Sequence, residues 1–122
     1  MRFQDLLAYQ KSFELALQIF EITKSFPKEE QYSLTDQIRR SSRSVSANIS
    51  EAYRKRLYPK HFISKLTDSD AENSETQTWL EFSLKCNYIT NKVFKELSKT
   101  SDEVGKLINY MILNPHKFGV KQ

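Results

Sequence analysis

Seven cations define the chemistry this sequence could carry: Arg39, Arg40, Arg43, Arg54, Lys55, Arg56 and Lys60. Arginine offers a planar fork of donors that grips phosphates and carboxylates through paired hydrogen bonds, and five of the seven are arginines. In RRSSRSVSANISEAYRKR, residues 39–56, six arginines and lysines face one acid, Glu51. At about 100° per residue, Leu34, Ile38, Ser41, Val45, Ile49 and Ala52 cluster on one side of a helix. Arg39, Arg40, Arg43 and Arg54 then share the opposite side, an arginine stripe along an outer face. Lys55, Arg56 and Lys60 extend it near the helix end, where cations also complement the helix dipole. Such a stripe fits a polyanion or a surface rich in carboxylates.

The second partner is present in the chain itself. Residues 39–65 hold eight bases against Glu51, whereas residues 68–81 hold Asp68, Asp70, Glu72, Glu75 and Glu81 with no base. If the helices carrying these blocks run antiparallel, Arg43 can lie opposite Asp70 to Glu75. Ion pairing within or between subunits would then occupy part of the stripe, although exposed pairs contribute only about 0–1 kcal/mol each. Asn48 is a weak helix former in mid-helix and sits at the border of the apolar face. It is expected to bond to a neighbouring helix's backbone or a buried carboxylate, and Glu51 to pair with Arg54 or Lys55. Both read as a polar network that specifies the bundle.

Catalytic chemistry finds little purchase, and no catalytic residue, metal or cofactor is expected. His61 and His116 are far apart, and neither has metal-ligand spacing with Cys86. Glycine occurs only at 105 and 119, which rules out a glycine-rich phosphate loop. Glu72 and Glu75 stand three apart, but no histidine completes a di-iron pattern. Cys86 is alone, so no intrachain disulfide forms, and a single thiol suits a reducing cytoplasm. Arg2 and Asp5 interrupt any apolar run after Met1, so no signal peptide is expected, and no stretch reaches the roughly 20 apolar residues of a membrane span.

The elements that must position the stripe follow from hydrophobic period. With 122 residues, 39% of them hydrophobic, and only two glycines and three prolines, the chain reads as one helical domain. Residues 5–25 place Leu6, Tyr9, Phe13, Ala16, Leu17 and Phe20 at helical spacing, with Leu15, Ile19 and Ile22 as a second stripe, predicting a first helix buried on a wide face. Ser33 with Asp36 reads as a capping box opening a second helix that ends at Tyr58-Pro59. A third runs from about Lys60 to Tyr88, although TDSDAENSETQT within it is a poor core-facing sequence in any phase. That face must be solvated or buried against polar groups. Thr90 caps a fourth helix, which Asn114-Pro115 stops. These predict an all-α, antiparallel up-and-down four-helix bundle over residues 1–114 and a flexible C-terminal tail over 115–122.

FQDLLAYQKSFELALQIFEITKSFP, SLTDQIRRSSRSVSANISEA, HFISKL and NYIT, in that order, resemble the bacterial four-helix-bundle proteins also called ribosomal-RNA intervening-sequence proteins. The accessory variability protein of diversity-generating retroelements looks like a structural relative. The resemblance is sharpest at Gln37, Arg39, Arg40, Ser44, Asn48, Ile49 and Glu51, and Glu75 falls where that family carries a glutamate, which adds it to the structural network. The resemblance implies a ring-shaped homo-oligomer, commonly a homopentamer, nucleic-acid association and no established enzymatic activity.

Two readings stand. In the first, a non-catalytic cytoplasmic oligomer binds nucleic acid, RNA in preference to DNA, through the seven cations. In the second, a structural assembly protein uses its arginines for subunit contacts or a protein partner.

Overall fold

A computed structural model describes residues 1–121; the last residue of the expected tail, Gln122, lies outside the described residues. Four helices form: α1 (Leu7–Thr23), α2 (Leu34–Arg54), α3 (Pro59–Lys85) and α4 (Asn91–Leu113). Short 3-10 turns at Phe3–Asp5, Lys28–Glu30 and Pro115–Phe118 complete the order, and there is no strand among the described residues. Each helix packs chiefly on its two neighbours in sequence, and α4 closes back on α1. The result is a four-cornered up-and-down bundle.

The helix ends have local causes. Pro59 occupies the first turn of α3, where its missing N–H is no loss. Asn87 takes a left-handed conformation (φ 64°) just past the end of α3, two residues after Lys85, so this helix stops short of the expected Tyr88. Thr90 caps α4 as expected, its hydroxyl accepting from the Val93 N–H at 3.1 Å. The capping box at Ser33 does not form. Ser33 makes no side-chain cap bond, and the Glu30 carboxylate accepts from the Leu34 N–H at 3.3 Å in its place. The other oxygen of Glu30 accepts from the Tyr88 hydroxyl at 2.9 Å, tying the α1–α2 connection to the α3–α4 connection.

Two apolar clusters fill the bundle. Near one end Leu15, Ile19, Ile38, Leu80 and Leu97 pack together. Towards the other end lie Val45, Ile49, Phe62, Leu66, Val104, Ile108 and their neighbours. Between them every helix contributes buried polar residues: Ser12, then Ser41, Ser42 and Ser46, then Ser69, Asn73 and Thr76, then Ser101. The puzzling TDSDAENSETQT segment is thereby explained. Its Ser69, Asn73 and Thr76 are buried against polar groups of other helices.

Ser12 and Ser46 hydroxyls meet at 2.9 Å, those of Ser41 and Thr76 at 2.8 Å, and Ser69 donates to the Val45 carbonyl at 2.8 Å. Gln77 donates to Ser101 at 2.9 Å. No buried side-chain nitrogen or oxygen among the described residues lacks a partner. Each fully buried aliphatic side chain contributes about 1.5–3 kcal/mol, and a satisfied hydrogen bond only about 1 kcal/mol. The apolar clusters therefore supply most of the stability, and the polar waist fixes register. Sliding a helix by one turn would bury an unpaired hydroxyl against aliphatic carbon.

Two expectations change on folding. The side of α1 that faces the core carries Leu15, Ala16 and Ile19, whereas Phe13 and Leu17 are 47% and 53% exposed. The chain after Asn114 has a defined course: Gly119 turns with φ 86°, and Val120 is buried in the larger cluster. Arg56 holds this segment, donating to the Phe118 carbonyl at 3.4 Å.

Candidate nucleic-acid interface

The seven cations fall into three groups once α2 is packed. Arg39 and Arg56 are half-buried and bolt the bundle together. Arg39 Nε donates to Thr23 Oγ1 at 2.7 Å, and its guanidinium lies 4.6 Å from the Phe20 ring centroid. Arg56 donates to the Tyr53 carbonyl at 2.7 Å and stacks 3.7 Å from that tyrosine's ring centroid. Arg43 is exposed, but leans towards α1 with its guanidinium 5.5 Å from the Phe20 centroid. Arg40, Arg54 and Lys60 project into solvent, with Lys55 half-buried beside them.

Little of this charge is neutralised within the chain. Among the described residues, one of the seven makes an ion pair: Arg40 with Asp36 one turn back, at 3.9 Å and well exposed on both sides. The expected pairing of Arg43 with the acids of α3 does not occur, because Arg43 sits on the α1 side of α2. Asp68, Glu72 and Glu75 likewise have no ion-pair partner among the described residues. Burial, then the Glu75 and Asp68 charges, holds the Glu72 carboxyl above its ordinary value.

Asn48, Glu51 and Glu75 make separate contacts instead of one network. The Asn48 amide donates to the Ser44 carbonyl at 2.9 Å, within its own helix, so it reaches neither a second helix nor a buried carboxylate. Glu51 pairs with Lys65 of α3 at 2.8 Å, not with Arg54 or Lys55. Glu75 accepts from Trp79 Nε1 at 3.2 Å. The inter-helix network is the serine, threonine and asparagine waist, which sequence reading offered only as one alternative for the α3 segment, without its members or partners. Its signal was the serine-rich run of α2 facing the polar run of α3.

A groove between α1 and α2 was missed. It encloses about 510 Å³ and is lined by Tyr9, Phe13, Leu17, Phe20 and Ala47, with Arg43 at its lip and no carboxylate in its lining among the described residues. Tyr9 and Phe13 stack with centroids 5.7 Å apart. Lys92, Lys95, Lys99 and Lys106 form a further exposed row on α4, but Glu96 and Asp102 interleave with it. His61, His116 and Cys86 are exposed, and no cluster of metal-ligating side chains occurs among the described residues. No helix among them is long and apolar enough to cross a membrane.

An all-helical bundle with a polar waist and one cationic helix face is a class of small helical protein. The chain matches the 23S rRNA-intervening sequence protein family over residues 4–110, and it belongs to that family. A solved structure from Bacteroides thetaiotaomicron VPI-5482, described as a protein with unknown function from the S23 ribosomal protein family, is 33% identical. It superposes with a TM-score of 0.80, over 89% of this chain and 97% of that one. No curated protein matches.

Proposed function

We propose that this protein is a non-catalytic, cytoplasmic, ring-forming oligomer, five-membered as the leading form, that binds RNA phosphates through the outer face of α2. Arg40, Arg54, Lys55 and Lys60 make the contact, with Arg43 at its edge. The observation that carries the reading is the near absence, among the described residues, of carboxylate partners along this face. The family's description supports RNA over DNA. A few cations hold phosphate weakly at physiological salt, whereas a patch repeated in every subunit gains avidity. Without a motif that reads bases, charge and RNA shape dominate recognition.

The second reading is a structural assembly protein. The unpaired acids of α3 and the apolar α1–α2 groove favour it, because both are surfaces on which another protein can dock. Purification with low-salt and then high-salt washes separates the two. Nucleic acid that co-purifies and leaves with salt supports the first reading, and a protein free of nucleic acid at low salt supports the second.

A further inference from the structure

We infer that the α1–α2 groove is a socket for a second copy of this chain, docked head to tail through the acidic flank of its α3. The inference rests on the oligomer proposed above and names the surfaces that build it. The socket is apolar, with Phe13 and Leu17 about half exposed, and its lip carries Arg43. An exposed apolar groove of this kind marks an interaction site on a small soluble protein. The flank offers Asp68, Glu72 and Glu75 at helical spacing, with no ion-pair partner of their own among the described residues. Lys65, the cation near Asp68, is already paired with Glu51 at 2.8 Å, so Arg43 without an acid on one surface matches carboxylates in excess on the other.

Symmetry favours the head-to-tail arrangement. An isologous contact through the groove would bring Arg43 towards Arg43, and one through α3 would oppose carboxylates. The heterologous contact pairs opposite charges at every junction. Height along the bundle also agrees. Ser41 meets Thr76, and Ser69 meets the Val45 carbonyl. Arg43, between positions 41 and 45, is therefore level with Glu72, between positions 69 and 76. The two surfaces stand at one height on neighbouring sides of the same bundle, with α2 at the corner between them.

A rotation without rise brings such surfaces together, which closes a ring where a rise would build a filament. Because both contact sides flank α2, that helix faces the centre. Arg40, Arg54 and Lys60 of every subunit then line one shared cationic opening.

The test is light scattering coupled to size exclusion, with circular dichroism to confirm folding, on wild type and exposed-surface variants. Wild type is expected at several times the 14.4 kDa subunit mass. Arg43→Glu, Glu72→Arg and Leu17→Asp should each fall to folded monomer, and Arg43→Glu combined with Glu72→Arg should restore the oligomer. An oligomer indifferent to all three single substitutions overturns the assignment and leaves the ring proposal standing. Failure of the combined variant to reassemble overturns the Arg43–Glu72 pairing. A wild-type mass that grows without limit with concentration overturns closure. A wild-type monomer overturns the ring proposal together with this one. If the oligomer survives Leu17→Asp and Arg43→Glu while RNA binding is lost, the groove serves RNA and the socket assignment fails.

Discussion

Asn73 of α3 and Ser101 of α4 exchange two hydrogen bonds inside the bundle, each 2.9 Å long. The asparagine amide donates to the serine carbonyl, and the serine hydroxyl donates to the asparagine carbonyl oxygen. Asn73 is 2% exposed and Ser101 fully buried, so neither has water as a substitute. Gly105, one turn further along α4, lies against the same amide. This pair sets the height at which α3 and α4 meet.

Replacing Asn73 with leucine should therefore destabilise the protein although the new side chain is more hydrophobic. The Ser101 carbonyl loses its cross-helix donor, and a loss of about 1–3 kcal/mol is expected. Combining Asn73→Leu with Ser101→Ala should recover part of it, because the bereft hydroxyl is gone. Urea unfolding of the two variants measures both numbers.

Arg39 and Arg54 share a residue type and a helix, but not a role. Arg39→Ala removes the bond to Thr23 and the stacking on Phe20, and should cost about 1–2 kcal/mol. Arg54→Ala removes no hydrogen bond or ion pair among the described residues and should stay within about 0.5 kcal/mol of wild type. Urea midpoints of the two alanine variants distinguish them, and equal destabilisation would contradict this division.

The Tyr88 phenol is pushed up to about 12, first by its hydrogen bond to Glu30, then by burial and by that carboxylate's charge. A phenol raised in the folded state favours the neutral form. Its contribution is thus complete below the ordinary tyrosine value near 10 and is lost as pH rises from there through about 12. Phenolate absorbance during alkaline titration should show the Tyr88 phenol ionising above the ordinary tyrosine value, and Glu30→Ala should return it towards that value. The same variant should unfold at lower temperature at neutral pH, with the difference shrinking at high pH.

Much of the fold was legible because the responsible forces are local. Thr90, Pro59 and Asn114-Pro115 mark helix ends by their own chemistry, and Ile38, Val45 and Ile49 mark the inner face of α2 by spacing. α1 was harder, since apolar residues cover most of its circumference. Period alone could not decide whether Leu15 and Ile19 or Phe13 and Leu17 face inwards. The waist was hidden for a different reason: a serine or asparagine reveals burial only when its partner on another helix is known. Arginine type was equally silent, because Arg39 is held by a threonine sixteen residues away whereas Arg54 has no such partner among the described residues.

The central claim, that α2 binds RNA phosphates, is tested most directly by the salt dependence of RNA affinity. Wild type is compared with a triple variant, Arg40→Gln, Arg54→Gln and Lys60→Gln, whose changes avoid the Arg39 and Arg56 bolts and the Arg43 lip. The measurement is the slope of log affinity against log salt for a single-stranded RNA, with oligomer mass checked in parallel. Each phosphate contact adds roughly 0.7 to the magnitude of that slope, so removing three cations from a subunit should flatten it by about 2 for every subunit engaged and weaken binding. An unchanged slope and affinity, with the oligomer intact, would contradict the claim.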